Sequence, residues 1–500
     1  MTSVKKSMIC HKNVIVFGTD QQRADSLGCM GNSLAQTPNL DKLASQGVLY
    51  KNHYSTNPIC MPSRASFITG CHLQAHRVLD NGIFLSKDQL TMPEVFRRAG
   101  YRTASFGKLH FQPTSDLFDT SKKNTSMESI TRWNNGELDH WTGSYYGFEE
   151  VGLAVGHGEV GSGHYGRWRA RNFPDLKIGP SHAQGDLNFP QYRCYKSNMP
   201  LEAHSSTWVA DEAIKYLDKA GKGPFYLNVS FPDPHVPFTP PAPYHSMFDD
   251  IKFPPPHAVE GENKIKPKVY REAMLRGASQ ENSNPEHYPD FNGQAYQQVV
   301  AHTHGMISLI DDCIGRVLAK LDEKGLTRET IIVFTSDHGD FLGDHHFFAK
   351  AVTPCRSLLH IPLIIVDPDS KRGIGNSVCS NVDVMPTLLS MCNIEIPDTV
   401  QGVILPGLGE NPKRNYAFEA GWSKNGPDYL HYTIYKQEYR ISIFPYLGEG
   451  ELYDLRKDPF EHVNLFNDPA YKNIRHELIE ELLYAVGLAE PERPPNAAKW

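Results

Sequence analysis

The chain has 500 residues, 40% hydrophobic and 21% charged, which favours one large globular unit plus a smaller one over a single core. Its 50 basic and 57 acidic residues leave a net charge of −7. That argues against a nucleic-acid or anionic-membrane partner, since both select basic patches. No stretch approaches the roughly 20 apolar residues of a membrane span. The 9 cysteines form no CxxC pairs and are odd in number, so they read as mostly reduced and buried thiols. Residues 1–12 carry lysines but no apolar signal-peptide core, which predicts a cytoplasmic protein or one whose leader has been removed. Oligomeric state is not legible.

In chain order, Asn13–Phe17 is an apolar run that reads as a buried parallel strand ending at Gly18-Thr19-Asp20. Thr37–Gly47 reads as a helix with a Thr cap, Pro near its start and a Gly stop. Thr91-Met-Pro-Glu94 has the spacing of a capping box and opens a helix that stops at Gly100. Strand candidates follow at Tyr101–Phe106, Pro224–Phe231, Ile331–Thr335 and Ile361–Val366. Between the second and third of these, Met306, Leu309, Ile310, Cys313, Ile314, Val317, Leu318 and Leu321 share one helical face, and Gly325 ends it. The alternation predicts an α/β fold, a large, mostly parallel mixed sheet sandwiched by helices. Gln112–Pro200 and Thr239–Asp290 show no sustained period and read as insertions or binding loops. The expected division is a catalytic α/β unit over 1–397, with the irregular insertion at about 112–200, and a C-terminal α+β unit over 398–500. In the latter, Tyr429–Ile443 reads as antiparallel strands and Ile474–Val486 as a terminal helix.

Three groups of residues carry chemistry. Cys60-Met-Pro-Ser-Arg64 places a thiol at a helix start, where free N–H groups and Arg64 favour negative charge. Asp20-Gln21 and Asp337-His338 each follow a strand, where open α/β sheets place their ligands, and together offer oxygen and nitrogen donors for a divalent cation. Lys108 and His110 are two apart, so an extended backbone would turn both to one side. His235 lies between prolines after a strand, and Lys350 lies downstream of Asp337.

CMPSRASFITG resembles the signature of the formylglycine-dependent sulfatases, a branch of the alkaline phosphatase superfamily. Gly107-Lys-Leu-His110, Pro234-His235, Lys350 and Leu452-Tyr-Asp-Leu455 fall in that family's order. The resemblance implies that a formylglycine-generating enzyme oxidises Cys60 to the catalytic aldehyde. It implies metal ligation by Asp20, Gln21, Asp337, His338 and modified Cys60, with one divalent cation, calcium ahead of Mg2+ or Mn2+. Arg64, Lys108, His110, His235 and Lys350 would be catalytic, and Asn81, Lys108, His235 and Lys350 would bind substrate. The expected substrate is a sulfated carbohydrate, such as a glycosaminoglycan or algal polysaccharide. His157, His164, Tyr165, Arg167, Trp168, Arg169 and Arg171 are candidates to grip it. Gln21 and His338 depart from the commoner Asp and Asn and also occur in phosphonate monoester and phosphodiester hydrolases, so that activity stands as an alternative. A catalytically inactive binder of sulfated glycans is another.

Overall fold

A computed structural model describes residues 12–119, 121–180, 186–189, 192–219, 221, 223–272, 293–370, 372–408 and 414–491. Residues 1–11, and the part of the Thr239–Asp290 stretch beyond 272, lie outside them.

Eight strands make the main sheet: β1 (Asn13–Thr19), β2 (Val48–Tyr54), β3 (Arg102–Gly107), β4 (Glu150–Val155), β5 (Phe225–Ser230), β6 (Thr330–Ser336), β7 (Leu363–Val366) and β8 (Gly373–Ser380). Their order across the sheet is β8-β2-β7-β6-β1-β5-β3-β4. All pairs are parallel except those of β7 with β2 and β6. This is the mixed, mostly parallel sheet that the sequence implies.

The apolar runs are continuous because both faces of the sheet are covered. In β1, Val14 and Val16 face one core while Ile15 and Phe17 face the other. β6 divides in the same way, with Ile331 and Val333 on the first face and Ile332 and Phe334 on the second. Each such side chain contributes about 1.5–3 kcal/mol by leaving water. The second face is covered by α1 (Pro38–Gln46), α5 (Ser205–Asp218) and α6 (Gly293–Glu323). The first is covered by α2 (Cys60–Thr69), α3 (Met92–Arg98) and α7 (Val384–Met391).

Several local expectations are corrected. α3 forms where expected, but Thr91 gives it no side-chain cap: its hydroxyl donates to Tyr146 O at 2.7 Å, and Glu94 pairs with Arg97 and Arg98. Nor does Thr37 cap α1. Asp311 of α6 does so from across the core, accepting from Asn39 N at 3.0 Å and Leu40 N at 2.8 Å. α6 begins 13 residues before Met306, because its first turns bury polar residues that a hydrophobic-period reading passes over; His302 Nδ1, for instance, lies 2.9 Å from Phe238 O. The stretch expected to be irregular supplies the edge strand β4 and the helix α4 (Gly163–Asn172). β4 escapes a sequence reading because it is short and flanked by Gly147 and Gly156, both at positive φ.

Beyond the main sheet, β9 (Ala417–Gly421), β10 (His431–Tyr435), β11 (Tyr439–Phe444) and β12 (Glu449–Asp454) form an antiparallel sheet in sequence order. α8 (Lys472–Ala489) packs Leu478, Leu482 and Ala485 against its Phe418, Ile434, Ile441 and Leu452. Among the described residues, no helix is long and apolar enough to cross a membrane.

Candidate active site

The site follows from the register of neighbouring strands. Thr19 of β1 is level with Ser336 of β6, Gly18 of β1 with Ser230 of β5, and Ser230 with Gly107 of β3. The residues that follow, Asp20, Asp337 and Lys108, therefore emerge side by side at the carboxyl edge, where an open α/β sheet places its ligands. β4 ends just beyond this level, since its Leu153 pairs with Gly107, and it delivers His157 to the same edge. Gly107 (φ 110°) is required here: a Cβ would run into Ser230 O. That close approach lets Lys108 N donate to Ser230 O at 2.9 Å.

α2 brings in Cys60 and Arg64. It starts at Cys60 after an extended Ile59, carries Pro62 in its first turn where no N–H is needed, and stops at Gly70 (φ 65°). Its residues are buried apart from Phe67. Asn81 Oδ1 accepts from Met61 N at 3.1 Å, so part of Asn81 holds the first turn of α2.

Cys60 Sγ lies 3.2 Å from His338 Nε2, 2.9 Å from Lys350 Nζ and 3.8 Å from Asp20 Oδ1. One ligand atom from each of Asp20, Cys60, Asp337 and His338 lies within 4.8 Å of the others. Asp337 Oδ2 holds Arg64 Nε at 2.7 Å, and its Oδ1 accepts from Gln21 N at 3.0 Å and His338 N at 2.8 Å. Lys108 pairs with Asp20, and Lys350 Nζ is also 3.0 Å from both His235 Nε2 and His338 Nε2. Gln21 (φ 66°) donates through Nε2 to Asp340 Oδ2 at 2.5 Å, while its buried Oε1 has no hydrogen-bond partner. An orphaned amide oxygen beside two carboxylates and an imidazole suits a divalent cation. The residues present fit such an ion.

The electrostatics are those of an anion site. Burial opposes ionisation of the Cys60 thiol, but Lys108 and Lys350 override it and hold the group well below its ordinary value. Asp20 is likewise resisted by burial and held well below the usual carboxylate range by Lys108, His235, His157 and Arg64. Burial and the Lys350 charge push His235 down to about 4. Burial, His235 and Lys108 hold His157 well below its ordinary value. Lys350 gains more from the Cys60 and Asp20 charges than it loses to burial, and stays cationic.

Of the residues singled out in the sequence, Asp20, Gln21, Cys60, Arg64, Lys108, His235, Asp337, His338 and Lys350 come together. His110 does not sit on an extended backbone as expected: its φ is 58°, its N–H donates to Glu128 at 2.6 Å, and its buried Nδ1 has no hydrogen-bond partner. The expected cationic grip is largely turned inward. Arg167 bonds Trp133 O and pairs with Asp139, Arg169 bonds Glu159 O and covers the Tyr165 ring, and His164 lies between Leu153 N and Trp141 O. Only Arg171 of the three arginines is exposed. His157, expected on a glycan surface, lies inside the site. Asp340 and Ser63, which brace Gln21 and the Asp337 carbonyl, carried no sequence signal beyond their place in the motifs.

Residues 12–394 match the family model described as Sulfatase, and residues 343–486 match N-sulphoglucosamine sulphohydrolase, C-terminal. The chain is 32% identical over 491 residues to an arylsulfatase of Clostridium perfringens, covering 94% of each chain. It is 26% identical over 536 residues to an N-acetylglucosamine-6-O-sulfatase of Bacteroides thetaiotaomicron, covering 94% of this chain and 85% of that one. Among solved structures, the phosphonate monoester hydrolase of Agrobacterium radiobacter superposes with a TM-score of 0.80 at 26% identity, covering 96% of both chains. A mixed sheet ending in this anion site, together with a family match across nearly the whole length, places the chain in the sulfatase family of the alkaline phosphatase superfamily, as a hydrolase of sulfuric esters.

Proposed function

We propose that the chain removes sulfate from a sulfated carbohydrate, such as a glycosaminoglycan or an algal polysaccharide, using a formylglycine hydrate formed from Cys60 as nucleophile. The observation that carries this reading is the position of Cys60 Sγ, among the carboxylates of Asp20 and Asp337, His338 and the ammonium of Lys350. The thiol stands where an oxygen of the hydrated aldehyde would stand, and a formylglycine-generating enzyme is the partner needed in maturation. Asp20, Gln21, Asp337 and His338 would hold a divalent cation, calcium first and magnesium or manganese after it. Bound there, the cation supplies Lewis-acid polarisation of the sulfate oxygens.

The side chains supply the rest. Arg64 is anchored to Asp337 through Nε and to Lys108 O and Ser230 Oγ through one terminal nitrogen, leaving its buried Nη2 without a hydrogen-bond partner and 3.9 Å from Asp20 Oδ2. That nitrogen, Lys108 and Lys350 would neutralise the equatorial oxygens as charge builds on them. Lys350 Nζ lies 2.9 Å from residue 60 and 3.0 Å from His235 Nε2, so the Lys350 proton can reach the departing alcohol directly or by way of His235 Nε2. Asn81 would meet the substrate through its amide nitrogen. His110 is the proposed base for regenerating the aldehyde.

The test is turnover of 4-nitrophenyl sulfate by the parent and by Cys60→Ala: activity in the parent is expected to vanish in the variant, and normal activity in the variant would sink the reading. Gln21, His338 and the likeness to a phosphonate monoester hydrolase favour a second reading, with the same machinery acting on phosphonate monoesters. A larger kcat/KM for an aryl phosphonate than for an aryl sulfate would select it.

A further inference from the structure

No motif in the sequence specifies His157, yet its side chain reaches Asp20 and Lys108 beside residue 60. It enters from the turn after β4, and its ring lies parallel to that of His235, with centroids 3.6 Å apart and planes 10° off. Its Nε2 is 2.5 Å from Lys108 Nζ and 3.2 Å from Asp20 Oδ2. The backbone is fitted to this arrangement. Gly158 (φ 58°) closes on the segment that carries His235, and a Cβ there would come 2.5 Å from Pro237 Cγ. The His157 side chain is 25% exposed against 3% for Lys108, which makes it the outer member of the group.

A flat ring stacked at this distance stops the His235 imidazole from turning out of its plane. The His235 Nδ1 contact with Val236 O, at 2.6 Å, fixes the other side of the ring. His235 Nε2 is thereby held toward Lys350 and residue 60. Aim matters most when the departing oxygen is basic, because the benefit of a proton donor grows with the charge on that oxygen. A small misplacement of the donor then costs rate rather than binding.

We propose that His157 is a positioning residue that holds His235 in the orientation from which, together with the Lys350 ammonium bonded to its Nε2, it delivers a proton to the leaving alcohol, so that its contribution rises as the leaving group becomes poorer. This rests on the sulfate-ester reading above, with the Lys350–His235 pair as the source of the proton. The experiment measures kcat and KM on a series of aryl sulfates running from 4-nitrophenyl sulfate to phenyl sulfate. It compares the parent, His157→Ala, His157→Phe, which keeps a flat ring against His235, and His157→Asn, which keeps a polar group without one. In His157→Ala, kcat is expected to fall about tenfold or more for phenyl sulfate but only about twofold for 4-nitrophenyl sulfate, with KM nearly unchanged. His157→Phe should recover the parent's shallow dependence on leaving group, and His157→Asn should not. A loss of the same factor for every substrate, a change confined to KM, or equal slopes in the Phe and Asn variants would overturn the inference. Should His157→Ala fail to fold, the Phe and Asn pair carries the same test. Full turnover by Cys60→Ala would instead overturn the reading beneath it, whatever the His157 variants do.

Discussion

Two buried clusters of charge differ in how their acceptor atoms are used. At the sheet edge, Asp20, Asp337, Arg64, Lys108 and Lys350 surround Cys60, and an acceptor, Gln21 Oε1, is left without a hydrogen bond. Beside the C-terminal sheet, Arg440 is ion-paired with Glu451 at 3.0 Å and Glu461 at 2.8 Å, while Tyr453 donates to Glu451 at 2.8 Å and lies under the guanidinium, 4.6 Å from ring centroid to Cζ. There all four oxygens of Glu451 and Glu461 accept hydrogen bonds, and the atoms left open are donors, Arg440 Nη2 among them. Charge density therefore does not distinguish a reaction centre from a strut. Convergence at the strand ends, with an acceptor left open for something the chain does not itself supply, does.

The largest expected effect breaks the first cluster. Asp337→Asn removes one carboxylate and the ion pair of Arg64, and should lower kcat/KM for an aryl sulfate by about 10³-fold or more. Calorimetric titration should show weakened binding of the divalent cation, and the thermal midpoint should move little, because this cluster is poised for chemistry rather than stability. Breaking the second cluster should do the reverse. Arg440→Met strands two buried carboxylates and should cost about 3–5 kcal/mol in denaturant unfolding. The specific activity of the folded fraction should stay near that of the parent.

The comparison sharpens with pH at Glu262, which is buried between His345 at 2.8 Å and His462 at 3.2 Å. Burial opposes its ionisation, but the His345 hydrogen bond and charge override it and take the carboxyl down to about 2, against 4.5 ordinarily. A depressed acid contributes stability that is present above its unfolded value and lost as pH falls through its folded one. The thermal midpoint of the parent should therefore fall from about pH 4.5 toward pH 2. Glu262→Gln should start lower at neutral pH and flatten that part of the profile. An unchanged profile would remove Glu262 from the account.

How far the sequence disclosed this follows from what each residue depends on. Asp20 and Asp337 were legible because each ends an apolar run long enough to be a buried strand, and parallel neighbours end level. Cys60 and Arg64 were legible because one short helix carries both. His157 was legible only as an aromatic in an irregular stretch: its place depends on β4 pairing with β3, a six-residue edge strand bounded by glycines. Arg167 and Arg169 misled for the opposite reason, since their partners, Trp133 O, Asp139 and Glu159 O, lie 10 to 34 residues away in a segment without period. His110 needed the left-handed turn after β3, which two-residue alternation cannot foresee.

The central claim is that residue 60 acts as an aldehyde hydrate within the first cluster. Mass spectrometry of the peptide spanning Ile59–Arg64, taken from preparations of graded specific activity made with a formylglycine-generating enzyme present, tests it most directly. The account predicts that residue 60 has lost its sulfur in a fraction that tracks activity. A fully active preparation in which Cys60 is an unmodified thiol would contradict it.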